Sequence, residues 1–365
     1  MAKDNADVIV VGAGVFGLLT ARELHRAGLK VMLVDSGQPG REASRASAGI
    51  LSPLYPWRAP GPIQALAHWS QQYYPVLADD MRRETGLDPE LTNSGMLVFD
   101  EAELQVAKAW ARYSARPLDF LDESQLLACE PGLAGSPRDA AVFLPTVAHI
   151  HSSRFMRALT ESIYSQGIPI REDTRVEKLL VENGKVTGIK TSLGELSTGR
   201  VVIAAGAWSG EVLEASELAL DVRPVRGQII QFDGPPGLLS RILLADGMYI
   251  LPRRNGRMLV GSTLEDVGFD KGITREAAET LKDMAVSIMP ALAGLPVQRQ
   301  WSGLRPSTTD QMPYIGRHPD IEGLFFNTGH YRHGMTTAPA SARLLADILR
   351  EEVPILDPTA YRVGR

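Results

Sequence analysis

The chain has 365 residues, 44% of them hydrophobic and 22% charged, with a formal net charge of −5 and a sequence pI near 5.9. These values describe a globular chain of one large domain or two, and the acidic balance excludes the broad basic face that a nucleic-acid partner requires. The single cysteine, Cys129, excludes an internal disulfide or a multi-cysteine zinc site and suits a reducing, cytoplasmic compartment.

No stretch approaches the ~20 apolar residues of a membrane span, and the opening MAKDNADVIVVGAG lacks the basic start and cleavable apolar segment of an export leader. Residues 7–11 (DVIVV) form a β-branched run, the pattern of a strand buried on both faces of a parallel sheet. Gly12-Ala13-Gly14-Val15-Phe16-Gly17 follows, then a helix-spaced LLTARELHRAGLK stopping at Gly28 and a second strand, VMLVD, ending at Asp35. Strand, glycines, helix, strand and terminal acid stand in order, so the run reads as a dinucleotide-binding βαβ unit. Gly12 permits the tight turn, Gly14 admits a pyrophosphate close to the backbone, and Gly17 lets the helix pack on the strand. The helix N-terminus, at Val15 and Phe16, faces the pyrophosphate. Asp35, followed by Ser36, accepts hydrogen bonds from an adenosine ribose, and its charge disfavours the 2′-phosphate of NADP.

The fingerprint alone does not separate NAD from FAD. Residues 36–53, rich in Ser, Ala and Gly and including Ala43, Ser44, Ala48, Gly49 and Ile50, read as an extended segment lying along an elongated cofactor. That favours FAD, with a surface loop as the alternative.

Downstream, 65–83 reads as a helix, 91–99 as a strand, 101–114 as a helix, and 117–145 as a turn-rich departure into a second domain. A helix over 152–167 takes Ser152 as N-cap and carries Phe155, Leu159 and Ile163 on one face. Residues 175–182 and 185–191 form a hairpin across Asn183-Gly184, a pair suited to a type I′ turn. RVVIAAGAW (200–208) reads as a buried strand ending in small residues that include Gly206, either plain core or a wall of an adenine pocket. Residues 219–304 alternate as VRPVRGQIIQF, MYILPRR and RMLVGST, an antiparallel sheet with hairpins, before a helix at 274–289. A strand at 324–327, a Gly-rich loop and a helix end the core. The fold class is therefore α/β, α+β overall: a Rossmann-like parallel-sheet domain over 1–85, 150–218 and 305–365, and an antiparallel-sheet domain over 86–149 and 219–304.

GAGVFG with Asp35, RASAGI, VVIAAGAWSG, GLRPSTTDQMPYIG and GHYRHGMTTAPA together resemble, in order and over nearly the whole chain, the flavin-dependent amino-acid and amine oxidases of the D-amino-acid oxidase class. Within that class the chain looks most like the branch that oxidises glycine and supplies iminoglycine for the thiazole ring of thiamine. The resemblance implies FAD bound in an extended form and an antiparallel sheet roofing the flavin. It implies a small amino acid or amine as substrate, molecular oxygen as acceptor yielding hydrogen peroxide, and a homo-oligomer, with a tetramer plausible from relatives. Cys129 lies outside the cofactor motifs, so the FAD is expected to be non-covalent. Mapped by motif, the substrate carboxylate falls to Arg305, with Tyr249 as a hydroxyl partner and Arg332 as a second contact. Gly329 and the run His330, Tyr331, Arg332, His333, Gly334, Met335 and Thr336 line the flavin, and Val176 touches the adenine side.

The residue types support those roles. Arginine's planar fork holds a carboxylate bidentately, which lysine cannot do; on spacing alone Arg305 reads also as an interdomain salt bridge and Tyr249 as a packed strand tyrosine. Arg332, in a Gly-flanked loop before a helix, favours negative charge at the flavin's N1–C2=O end. His330 and His333 read as loop-shaping, and no residue stands out as an acid or base, so the flavin does the chemistry while the protein orients. Ile50 and the bulky PLYPWR, with Tyr55 and Trp57, depart from at least one branch of the family, at positions near the substrate entrance where side chains vary. They leave glycine, sarcosine, D-proline and D-alanine open as substrates, and a quinone-linked dehydrogenase open as the reaction. An RNA-modifying flavoprotein of similar fold is disfavoured by the net charge, and a flavin-binding protein without turnover leaves Arg305 and Tyr249 unexplained.

Overall fold

The computed structural model describes residues 6–365; residues 1–5, where the leader was sought, lie outside the described residues. Val8–Val11, an unbroken buried run, takes the inner position in a six-stranded sheet, parallel to Val31–Val34 on one side and Val201–Ile203 on the other. Leu324–Thr328 extends the sheet beyond Val201–Ile203, and Ile170–Arg171 extends it beyond Val31–Val34, both in parallel. Tyr314–Arg317 closes one edge antiparallel, so the parallel sheet expected here carries one reversed strand. Its connection to Leu324 is too short for the crossover that a parallel neighbour requires.

The helices Val15–Arg26, Gly61–Thr85 and Gly334–Leu349 pack together over this sheet through Leu18, Leu24, Leu77, Leu344 and Leu345. Arg22, fully buried between them, donates to Asp80 at 3.2 Å and Glu84 at 2.6 Å, which ties the first helix to the second. Such a pair is costly to break from one side, because the partner is left charged and desolvated.

The second sheet has eight strands. Their order is Val297–Ser307, Arg223–Asp233, Arg257–Gly261, Met248–Pro252, Ile242–Ala245, Met96–Val98, Ala141–Leu144 and Asp119–Leu121. Pairing is antiparallel except between Ile242–Ala245 and Met96–Val98. The helix Arg275–Ile288, N-capped by Thr274, covers one face through Leu281, Ala285 and Ile288. The other face packs Ile229, Tyr249 and Leu259 with Ala48, Ile50 and Trp57, so it is the face turned toward the glycine-rich segments.

Several local expectations are corrected. The region 117–145 holds two strands of the large sheet and a helix, Glu123–Cys129, closed by a capping box between Asp122 and Gln125. Strands of three and four residues carry too little periodicity to be read; their pairing partners stabilise them. The strand expected over 91–99 breaks into Thr92–Asn93 and Met96–Val98 at Gly95, whose φ is +68°. The segment 36–53 is not extended throughout but winds into a short helix, Ala43–Ala46. His151, not Ser152, occupies the N-cap of Ser152–Ser165. The run 200–208 is strand only to Ile203 and then turns through Gly206–Trp208. The hairpin Val176–Glu182 and Lys185–Thr191 forms as expected, with φ of +51° at Asn183 and +74° at Gly184, and a third strand, Gly194–Ser197, joins it. Among the described residues, no helix is long and apolar enough to cross a membrane.

Candidate active site

Where Val8–Val11 ends, Gly12 turns the chain with φ +102°, and a Cβ there would lie 2.4 Å from the carbonyl oxygen of Ala204. A Cβ on Gly17 would lie 1.8 Å from the carbonyl oxygen of Gly12, so the first turn of the helix Val15–Arg26 sits directly on the turn that precedes it. Asp35 locks this corner: Oδ2 accepts from the Ala13 amide at 2.6 Å and Oδ1 from the Gly37 amide at 2.9 Å. Burial pushes the Asp35 carboxyl up, and the two amide bonds pull it down. Ser44, in the short helix, accepts from the Val15 amide at 3.0 Å and lies 3.3 Å from where a Gly14 Cβ would stand.

These residues open on a cavity of about 930 Å³ that runs between the two sheets. Gly12, Gly14, Val15, Phe16, Asp35 and Ser36 line its first part, Ala43, Ser44, Ala48, Gly49 and Ile50 its flank, and Val176 and Gly206 the wall beyond Val201–Ile203. Tyr249 and Arg305 line the part beneath the large sheet, joined by His330, Tyr331, Arg332, His333, Gly334 and Met335. Of the residues singled out by sequence, Gly17, Gly329 and Thr336 stand behind this wall. Thr336 donates its hydroxyl to the Ile50 carbonyl at 3.1 Å and holds the flank in place.

Arg305 is half-buried, and its guanidinium donates to the Ser262 hydroxyl at 2.6 Å and the Thr263 carbonyl at 3.2 Å. Burial lowers its pKa from the usual arginine value. Among the described residues, no carboxylate lies within 4.0 Å of it, so the alternative of an interdomain salt bridge is not what the structure shows. Burial likewise raises the Tyr249 hydroxyl. Arg332 is exposed and, among the described residues, its guanidinium reaches only the Gly247 carbonyl, at 3.5 Å. His330 stacks on Phe16 at 3.5 Å between ring centroids, bonds Ser341 through Nε2 at 3.1 Å, and leaves its buried Nδ1 unpartnered. Burial drives His330 well below the ordinary histidine value, while burial and then Arg332 lower His333 to about 4. Both imidazoles are neutral at neutral pH.

Sequence reading missed Ser262, which lies between Arg305 and the end of the Arg257–Gly261 strand, because RMLVGST reads as one alternating strand and nothing in it signals the arginine that meets the serine in space. The segment PLYPWR, which the sequence places near the substrate entrance, supplies Tyr55 to the cavity wall, where its hydroxyl donates to Asp100 at 2.7 Å and accepts from the Gly247 amide at 2.9 Å.

The chain belongs to the FAD dependent oxidoreductase family, whose model matches residues 7–348. It is 47% identical over 355 residues to a glycine oxidase of Pseudomonas aeruginosa, covering 97% of each chain. It is 31% identical over 352 residues to the bifunctional protein ThiO/ThiG of Trichormus variabilis, covering 95% of this chain and 53% of that protein. The crystal structure of a glycine oxidase from Geobacillus kaustophilus superposes with a TM-score of 0.93 at 30% identity over 99% of both chains.

FAD is the cofactor of this family, and the residues present fit it. The bare turn at Gly12 and Gly14 leaves room for a pyrophosphate at a helix N-terminus, Asp35 stands ready for a ribose hydroxyl, and the orphaned Nδ1 of His330 supplies a buried polar atom on the cavity wall.

Proposed function

We propose that this protein oxidatively deaminates glycine and other small amino acids or amines. Substrate and oxygen become an imine and hydrogen peroxide, and water then converts the glycine imine to glyoxylate and ammonia. Bound FAD supplies the two-electron oxidant for the substrate Cα–H and returns the electrons to oxygen. The observation that carries the reading is Arg305: a half-buried guanidinium held by Ser262 and Thr263, with no carboxylate partner among the described residues, opening on the same cavity as the glycine turn.

The chain's own residues bind and orient. Arg305 anchors the carboxylate through the N–H groups that Ser262 and Thr263 leave free, Tyr249 adds a hydroxyl, and Arg332 adds a second positive charge at the mouth. His330 and His333, held neutral, shape the loop. Segments 1–85, 150–218 and 305–365 form the cofactor half and 86–149 and 219–304 the substrate half. In support, every strand of the six-stranded sheet falls in the first set, and the strands of the eight-stranded sheet fall in the second save the last residues of Val297–Ser307. FAD is held non-covalently, since Cys129, the only cysteine, is absent from the cavity wall. We place the protein in the cytoplasm as a homotetramer, supplying the imine for thiamine thiazole formation.

The test is to add glycine to the purified flavoprotein without oxygen, follow the visible flavin band, then admit air and assay peroxide. Bleaching followed by recovery with stoichiometric peroxide is the expected result. A band that glycine leaves untouched sinks the glycine reading, and sarcosine, D-proline and D-alanine become the substrates to try.

A further inference from the structure

Two glycines of the large sheet stand against Arg305 and Tyr249. Gly227 lies within Arg223–Asp233 and Gly261 ends Arg257–Gly261, and neither has a positive φ. Glycine in a strand loses conformational freedom on folding and offers no side chain to pack, so an extended backbone alone gives no reason for it.

Space gives the reason. A Cβ on Gly227 would lie 2.1 Å from both Nη atoms of Arg305 and 2.3 Å from its Cζ. The two Nη atoms are nearest and Cζ is farther, so the bare backbone stands against the Nη edge of the guanidinium. On Gly261, a Cβ would lie 2.5 Å from the Tyr249 hydroxyl and 2.8 Å from its Cζ. Strand register accounts for both contacts: Arg305 pairs with Val225, which makes Gly227 its diagonal neighbour on the same face, and Tyr249 pairs with Gly261 itself.

The guanidinium has no easy escape. The Ser262 hydroxyl and Thr263 carbonyl hold it from the other side, and that segment is fastened by reciprocal backbone bonds between Glu265 and Arg226 at 2.9 and 3.0 Å and by their side-chain pair at 2.5 Å. A methyl at position 227 must therefore drive Arg305 off the strand and into the cavity.

We propose that Gly227 and Gly261 are positioning residues of the amino-acid site, whose missing side chains form two slots that set the depth of the Arg305 guanidinium and of the Tyr249 hydroxyl. The proposal rests on Arg305 and Tyr249 being the substrate contacts. It makes the floor of the site a product of absent atoms, and it ties substrate affinity to positions that carry no side chain.

The test is a double-mutant cycle on the holoenzyme with Gly227→Ala, Arg305→Ala and the two combined, reading FAD content, KM and kcat for glycine, and acetate binding by the shift of the flavin band. Gly227→Ala should raise KM for glycine about 10- to 100-fold, the span set by a hydrogen bond to a charged group, weaken acetate to a similar degree, and keep FAD. In the Arg305→Ala background the same substitution should change KM by less than about twofold, the limit of additivity error. Gly261→Ala with Tyr249→Ala gives the parallel cycle. An equal KM penalty in both backgrounds, or FAD loss that persists in the double variant, shows that Gly227 serves the strand itself and overturns the proposal. Gly227→Ala at wild-type KM, with Arg305→Ala impaired, overturns the slot alone. Arg305→Ala at wild-type KM removes the substrate reading and the slot with it.

Discussion

Phe16 and His330 stack with their ring centroids 3.5 Å apart and 16° between planes. One belongs to the first turn of the helix Val15–Arg26 and the other to the loop before Gly334–Leu349, so the pair joins the two ends of the sequence at the cavity wall. It also places the unpartnered Nδ1 of His330 beside the glycine turn.

Phe16→Ala should weaken FAD binding and lower the thermal midpoint of the holoprotein. The aromatic pair contributes about 0.5–1.5 kcal/mol beyond its buried area. Thermal unfolding with and without added FAD checks this, and an unchanged midpoint in both conditions removes the stack from the cofactor site.

Asp35→Asn should raise the Kd for FAD about tenfold, because a hydrogen bond to a charged acceptor is worth roughly 1.5–3 kcal/mol. The amide also has one acceptor oxygen where the carboxylate has two, so either Ala13 or Gly37 loses its partner. Titrating apoprotein into FAD and following flavin fluorescence measures it.

Arg305→Lys should behave more like Arg305→Ala than like the wild type. Lysine offers a point charge and no planar fork, so KM for glycine rises by about 10- to 100-fold on the same hydrogen-bond scale, while FAD content holds. A lysine variant within about twofold of wild type on that scale contradicts bidentate anchoring.

Acid stability should fall in a defined window. Burial, then Arg253, lowers His149 to about 3, and burial, then Arg253, lowers His151 to about 4. A histidine depressed in the fold binds its proton in the unfolded chain first. The unfolded state therefore holds more protons below pH 6.5, and the stabilisation present above that value is lost as pH falls toward the folded values. Each such proton contributes a slope of about 1.4 kcal/mol per pH unit. His149→Gln keeps an acceptor for the Arg253 bond at 3.2 Å and removes one titrating group, so urea unfolding between pH 6.5 and 4 should show a slope shallower by about one proton.

How much of this was readable depended on how local each constraint is. The turn at Gly12 and the hairpin at Asn183-Gly184 need particular φ values, and those demands are written in adjacent residues. The strands Asp119–Leu121 and Ala141–Leu144 were invisible, because three or four residues become a strand only through the partners they meet. Family likeness singled out Arg305 as a candidate anchor, but its freedom from carboxylates among the described residues was not legible, since that depends on what does not approach it in space.

The sequence by itself determined the βαβ unit, its acid at Asp35, the antiparallel character of the second half and the family, because each follows from residue order and short-range sterics. Tertiary structure alone decided that Tyr55 meets Asp100 and Gly247 at the mouth, that His330 lies on Phe16, and that Gly227 and Gly261 lie beneath Arg305 and Tyr249. Strand register and sheet packing bring those residues together from distant parts of the chain, and glycine signals nothing about the side chain that will occupy its space.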